Sequence, residues 1–449
     1  MNQLILAKFG KPPNAQNMTI EHLHAVPHLT TALTGPLRHL ESHLLSNQAR
    51  IETWFRNQWL KTPAPFYASV DLRNAGFKLA PVDTNLFPAG FNNLNTAFIP
   101  LCIQAMQSAI ERICPDAAKI LLIPENHTRN EFYLENVATL YDIIQKAGFE
   151  VRIGSMLPEL NKNLEITLKS GRSVVLEPLL RGAEKVYLPD YDPCVVILNN
   201  DLSSGIPEIL QDTDQKIYPP LDLSWANRLK SSHFAQYKTV AEEFSRIVDI
   251  DPWLVDPLSR NCGEINFMKR EGEDCLRKNV TQLLEAIQTK YDEYKIDQVP
   301  FVIVKADAGT YGMGIMTVHS ADELLELNRK QRTKMSATKG GQAVSKVIMQ
   351  EGVYTFETWG EDQAVAEPVV YMIDHFVVGG FYRVHTGRGI NENLNAPGMH
   401  FQPLAFVEPC NAPDNTKSPD ANPNRFYAYG VIARLALLAA AREHANSIK

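Results

Sequence analysis

Between residues 119 and 153 the chain alternates short apolar runs with one amphipathic segment, the pattern of a βαβ unit. Residues 120–123 are continuously apolar, as a strand buried on both faces should be. Residues 132–147 place Leu134, Val137, Leu140, Ile143 and Ile144 at helical spacing, and Gly148 ends that helix. A strand at 150–153 follows, with further strand runs at 174–176 and 195–198. This part predicts an α/β unit with a parallel sheet, whose ligands would gather at the carboxyl ends of its strands. Upstream, Leu37, Leu40, Leu44 and Leu45, then Ile51, Trp54, Phe55 and Leu60, mark at least two helices, broken at Pro27 and Pro36. Residues 66–95 mix Asp71, Arg73, Lys78, Asp83, Asn85 and Asn92 with aromatics and turn residues, which predicts a long loop, either plain surface or a carrier of binding groups.

After Pro219 and Pro220 the pattern changes. Helices are predicted over 230–248 and 274–294, joined by an irregular link at 251–266. Strands are predicted at 301–304, 315–319, 345–349, 368–373 and 376–384. A capping box at Ser320–Glu323 opens a short helix, 333–342 reads as a loop, and an asparagine-rich loop occupies 391–398. A proline-rich loop at 407–423 precedes a last helix at 427–446. The division that follows is 1–220, 221–300 and 301–449, the later part of α+β character.

At 449 residues the chain is long enough for two or three domains with ample core. A net charge of −7 without a long basic run argues against nucleic acid as a partner. No apolar run reaches the roughly 18 residues of a membrane helix, and the start carries no signal-peptide pattern. Six scattered cysteines, without zinc spacing, fit reduced thiols in a cytoplasmic protein. His22, His24 and His28 lack a partner cluster and fit a helix surface better than a metal site.

The most informative stretch is 300–319. A β-branched run ends at Lys305, and Gly309, Gly312 and Gly314 precede a second run. Glycine lets backbone N–H groups approach an anion, and lysine adds a mobile charge for phosphate oxygens. A P-loop or a dinucleotide fingerprint would need a helix after the loop, and here a strand follows. An ordinary hairpin with turn glycines is the alternative on spacing alone.

From residue 222 to 408 the order of elements resembles the ATP-grasp superfamily, in which two α+β subdomains clamp ATP. That resemblance implies phosphate contacts from Lys230, Lys305 and the Gly309–Gly314 loop, and contacts to base and ribose from Gln350, Glu351 and Val353. Arg383 would face the triphosphate, acting with Lys305 as the catalytic cations. Glu367, Asn393, Asn395 and Glu408 would serve Mg2+, although the Glu-x-Asn metal motif of the superfamily has no clear counterpart.

The whole chain further resembles a bacterial glutamate–cysteine ligase of the ATP-grasp type. ADAGTYGMGI, KMSATKGG, VIMQEGV, NLNAPGMHFQPLAF and KLAPVDTNLFPAGFNNL carry the likeness. The implied fold is an N-terminal α/β unit followed by a two-subdomain ATP-grasp. The implied partners are the small molecules ATP, glutamate and cysteine, and a homo-oligomer is compatible with the sequence. The implied reaction phosphorylates the glutamate γ-carboxylate, and the cysteine amine then displaces phosphate. A glutamate α-carboxylate calls for arginine and its ammonium for a carboxylate, which selects Arg73, Asp83, Asn85, Arg129 and Arg388. Another carboxylate–amine ligase such as glutathione synthetase, or a nucleotide-binding protein without catalysis, stays open at this point.

Overall fold

The structure, a computed structural model, describes residues 36–309, 314–336, 344–404 and 425–447. Helices α1 (Pro36–Ser46) and α2 (Gln48–Lys61) open it. Leu40, Leu44, Ile51, Trp54 and Phe55 are buried as their spacing predicts, whereas Leu60 is exposed. His22, His24 and His28 lie outside the described residues.

Residues 66–95 are not one long loop. Most of them form a hairpin of β1 (Tyr67–Asn74) and β2 (Leu79–Asn85). Apolar Ala68, Val70 and Leu72 alternate with polar Ser69, Asp71 and Arg73 along β1, yet all its residues except Asp71 are buried. Its polar side chains meet ion pairs or a cleft instead of water.

Then follow α3 (Ile99–Ile113), β3 (Lys119–Pro124), α4 (Glu131–Lys146), β4 (Glu150–Ser155), β5 (Leu164–Thr167) and β6 (Ser173–Pro178). The short pair β7 (Leu180–Arg181) and β8 (Val186–Tyr187) leads to β9 (Val195–Asn199) and β10 (Lys216–Tyr218). Strands order as β10-β9-β3-β4-β6-β5, all parallel except the edge strand β5. The expected α/β unit is therefore present, with α3 and α4 burying their apolar faces in its core.

Helix α5 (Lys230–Val248) coincides with its predicted span. The predicted irregular link contains β11 (Ser259–Cys262), which packs beside α6 (Glu273–Tyr294). Cys262 and Cys275 face each other there, with Cα atoms 6.4 Å apart. Cys410 is outside the described residues.

Next come β12 (Val302–Ala306) and β13 (Ile315–Val318), with the glycine loop between them. The capping box closes only a single turn at Ala321–Leu324, where Ser320 accepts from the Asp322 N–H. A helix follows instead at α7 (Arg329–Ser336), part of the segment expected to be loop. With β14 (Val347–Glu351) these strands make an antiparallel sheet ordered β11-β14-β12-β13.

The third sheet orders β18-β17-β16-β1-β2, from β16 (Ala364–Ile373), β17 (Phe376–His385) and β18 (His400–Pro403), with β15 (Glu357–Trp359) against β16. Asp71 stands opposite Val369 and Glu367 opposite Arg383. The expected 1–220 unit thus shares a sheet with the expected last unit. Helix α8 (Arg425–Ser447), nearly all apolar and buried, packs on α5 and beneath β1 and β2. Among the described residues no helix is long and apolar enough to cross a membrane.

Candidate active site

The cleft lies between the antiparallel sheet that carries the glycine loop and the face of β1, β16 and β17. One chamber, partly open to solvent, is lined by Lys230, Lys305, Gly309, Gln350, Val353, Glu367, Arg383, Asn393 and Asn395, with Asp71, Arg73 and Asp83. Residues assigned from separate motifs therefore meet in one space.

The glycine-rich end is built by strand pairing. The Ala306 N–H donates to the Gly314 carbonyl, 3.1 Å, which closes the loop. Gly309 and Gly314 have φ of 96° and 65°, in the region that favours glycine. Gly312 lies outside the described residues. Asp307 ties the loop to α5. Its carbonyl accepts from the Lys230 N–H, and its carboxylate accepts from the Ser231 N–H and hydroxyl, 2.7 Å each. The first residue of α5, Lys230, is thereby aimed at the cleft.

Lys305 is buried, and its ammonium donates to the Gln350 side-chain carbonyl, 2.6 Å, and the Val82 carbonyl, 2.7 Å. Burial pulls its pKa down to about 8, with Asp83 opposing and Lys230 adding to the shift. Asp83 accepts from Lys230, 3.0 Å. Burial acts to raise the Asp83 pKa, but Lys230 and Lys305 outweigh it and hold the carboxyl well below the usual range. The Gln350 Nε2 is buried without a hydrogen-bond partner among the described residues.

Glu351 also lines the chamber, but its carboxylate is already engaged. It accepts from Lys78, 2.7 Å, from the Trp253 indole, 3.1 Å, and from the Leu258 N–H, 3.0 Å. Gly352 has no room for a side chain, since a Cβ would lie 2.1 Å from the Phe301 ring.

Arg383 Nη1 donates to Asp71, 2.8 Å, and to Glu367, 2.5 Å. Its Nε is buried without a partner among the described residues. Burial raises the Asp71 pKa, with Arg383 opposing and Glu367 adding. Asp71 is a site residue that sequence reasoning did not select, and its two-residue spacing from Arg73 along β1 was the available signal.

Arg73 lines the nucleotide-like end with every guanidinium nitrogen engaged. It donates to Glu367, 3.1 Å, to the Val353 carbonyl, 3.1 Å, and to the Glu392 carbonyl. It acts as a brace between β16, the hinge after β14 and the asparagine-rich loop. Arg129 is exposed and lines neither chamber, and exposed Arg388 pairs with Glu392 at 3.0 Å. Asn85 accepts from the Phe87 N–H and the Trp225 indole, so its carbonyl shapes the wall. Glu408 lies outside the described residues. Among those described, no three His, Cys, Asp or Glu side chains gather as a metal cluster.

A second chamber continues from the first through Asp71, Asp83, Arg383 and Asn395. It is lined by aromatic Tyr371 and Phe381, by Asn92 and Asn93, and by Glu125 and Asp201, none of them selected from sequence as site residues.

The sequence pattern of GshA, the glutamate–cysteine ligase family, matches residues 41–444. A solved structure described as a gamma-glutamylcysteine synthetase from Methylobacillus flagellatus KT is 63% identical, over 94% of this chain and 99% of that one, with a TM-score of 0.87. A D-alanyl-alanine synthetase A of Vibrio cholerae is 11% identical over 71% of this chain and 81% of its own, TM-score 0.32. A glutathione synthetase-like effector of Globodera pallida is 9% identical over 81% and 79%, TM-score 0.37. The last two superpose too loosely to carry an argument. No curated protein matches the chain.

Proposed function

The chain belongs to the glutamate–cysteine ligase family, and we propose that its two joined chambers carry the two halves of that reaction. The protein is an ATP-dependent ligase that joins the glutamate γ-carboxylate to the cysteine amine, giving γ-glutamylcysteine. The observation that carries the residue assignment is the junction, where Arg383, Asp71, Asp83 and Asn395 line both chambers.

In this reading the fold works as an ATP-grasp. The nucleotide lies in the first chamber, its base near Gln350 and the Val353 backbone and its phosphates near Lys230, Lys305 and the glycine loop. The glutamate γ-carboxylate lies at the junction. Its oxygen attacks the γ-phosphorus, the bond to the β-phosphate oxygen breaks, and ADP leaves. Arg383 and Lys305 stabilise the charge that moves across the equatorial oxygens. The cysteine nitrogen then attacks the acyl carbon and loses a proton, and phosphate departs as the C–O bond breaks. Enclosure by the loop protects the acyl phosphate from water.

Glu367, Asp71, Asn393 and Asn395 line the same space, and their side-chain oxygens are the hard-ligand chemistry that suits Mg2+. These residues would hold it, with both carboxylates released from their arginine pairs. When bound, Mg2+ would neutralise phosphate charge and orient the γ-phosphoryl group. Dependence on ATP and on a reduced thiol substrate suits a cytoplasmic reaction.

The test is product formation from Mg-ATP, glutamate and cysteine, with each component omitted in turn and the product identified by mass spectrometry. Turnover that needs all three and yields γ-glutamylcysteine is expected. A requirement for a different carboxylate–amine pair would move the enzyme to another ligase reaction. Nucleotide binding without turnover for any pair would make it a binding protein.

A further inference from the structure

Sequence reasoning assigns the donor's α-carboxylate to arginine. Arg73 lines only the first chamber, where each of its guanidinium nitrogens already donates to the protein, and Arg129 and Arg388 are outside both chambers. Among the described residues lining the second chamber, Arg383 is the one guanidinium or ammonium group. It stands at the junction, where the reacting γ-carboxylate must be. Another group has to read the far end of the donor.

The floor of the cleft acts as a ruler. Arg73, Asp71 and Ser69 follow one another on the same face of β1, and Arg73 lines the first chamber, Asp71 both, and Ser69 the second. Two strand residues span about 6.7 Å, so Ser69 lies about that far beyond the junction. In glutamate, four C–C bonds of about 1.5 Å separate the γ-carboxyl carbon from the α-carboxyl carbon, an extended span of about 5 Å. A donor with its γ-carboxylate at Arg383 and its chain directed into the second chamber therefore places its α-carboxylate above Ser69 and Tyr371, which is paired with Ser69 across the sheet.

The segment covering that rung is the turn Gly90–Asn93. Gly90 packs so closely on β16 that a Cβ would lie 2.5 Å from the Tyr371 hydroxyl. Asn92 and Asn93 follow in the turn and line the chamber. Two buried asparagines hold the segment. The Asn136 side-chain carbonyl accepts from the Gly90 N–H, 2.9 Å, and the Phe91 N–H, 3.0 Å, and its amide donates to the Asn199 carbonyl oxygen Oδ1, 2.8 Å. Asn199 in turn donates to the Pro88 carbonyl, 2.8 Å. Both are almost fully buried, 1% and 2% exposed. Burying amide groups is costly unless they are bonded, so this relay specifies one backbone path for a short irregular segment.

We propose that Asn92 and Asn93 bind the α-carboxylate of the acyl-donor amino acid through their side-chain amides, with Asn136 and Asn199 as positioning residues. The inference rests on the ligase reading, since it takes glutamate as the donor. Neutral amide donors hold the second carboxylate without placing another strong cation beside Arg383. A dicarboxylic amino acid is thereby oriented with its γ end toward the cation and its α end toward the amides.

The test compares Asn92→Ala and Asn93→Ala with wild type at saturating Mg-ATP and cysteine. The probes are glutamate as substrate and 4-aminobutyrate, which is glutamate without its α-carboxylate, as a competitive inhibitor. At least one variant should raise KM for glutamate tenfold or more and leave Ki for 4-aminobutyrate and KM for ATP within twofold. Unchanged KM for glutamate in both variants would overturn the proposal, as would a parallel rise in Ki for 4-aminobutyrate. A rise in KM for cysteine alone would overturn it too, by placing the turn at the acceptor. Asn136→Leu should show the same split in weaker form. If that variant does not fold, Asn136→Asp, which keeps the acceptor for both backbone N–H groups, serves instead. Wild-type turnover of glutamate checks the underlying reading separately, so the two failures are distinguishable.

Discussion

Arg383 and Asp71, 312 positions apart in the chain, share a 2.8 Å hydrogen bond at the point where the two chambers meet. The same Nη1 reaches Glu367, so one guanidinium holds two carboxylates. Burial and the two carboxylates act in opposite senses on Arg383, and the carboxylates prevail, raising its pKa. Arg383→Ala should lower kcat by roughly 10²–10³-fold, the usual cost of one donor that stabilises developing charge. It should also lower thermal stability, because two carboxylates lose their partner. Steady-state kinetics with a melting curve checks both, and near-normal kcat would remove Arg383 from the chemistry.

Lys305 should give the ligand-free enzyme an alkaline limit. Its pKa lies near 8 where an ordinary lysine titrates at 10.5. Phosphate recognition needs the protonated form, so kcat/KM for ATP should fall as pH rises through about 8. Lys305→Arg stays charged and should abolish that limb. Between about pH 8 and 10.5 the unfolded chain binds more protons at this site, so its contribution to stability rises with pH over that window. A flat kcat/KM profile for ATP from pH 7 to 9.5 in wild type would contradict this assignment.

The buried pair of Lys78 and Glu351 should matter to stability rather than to base recognition. Lys78 also lies 4.3 Å from the centre of the Trp253 ring. Removing one partner of a buried pair strands the other, at about 3–5 kcal/mol. Lys78→Met should therefore lower the denaturant midpoint clearly. Glu351→Gln should leave the preference for ATP over GTP unchanged, and a lost preference would return the Glu351 side chain to the base.

Arg73→Ala should act on the nucleotide. Arg73 braces the Val353 carbonyl and Glu367, so its loss should raise KM for ATP several-fold and leave KM for glutamate within about twofold. This reverses the expectation from sequence, where Arg73 was matched to the glutamate carboxylate. Initial-rate measurements with each substrate varied decide between the two.

Much of the cleft was legible because its motifs carry local constraints. Lys305 with its glycines is marked by spacing in one short stretch, whereas Gln350, Asn393 and Asn395 were implied by the family resemblance. The β1–β2 hairpin was obscured because the partners of its polar residues lie far along the chain, Asp71 with Arg383, Arg73 with Glu367 and Lys78 with Glu351. Arg129 and Arg388 stand outside both chambers. An arginine in a polar turn looks the same in sequence whether it faces solvent or substrate. The Asn136–Asn199 relay was hidden because both residues sit in segments whose apolar neighbours already account for a helix and a strand.

The most direct measurement of the central claim is oxygen transfer from donor to phosphate. Glutamate labelled with 18O in its γ-carboxylate is turned over with Mg-ATP and cysteine, and the released phosphate is analysed by mass spectrometry. Attack of the γ-carboxylate on the γ-phosphorus at the Arg383 junction predicts one labelled oxygen in each phosphate released. Unlabelled phosphate with normal γ-glutamylcysteine formation would contradict it, because the γ-carboxylate would then never have been phosphorylated.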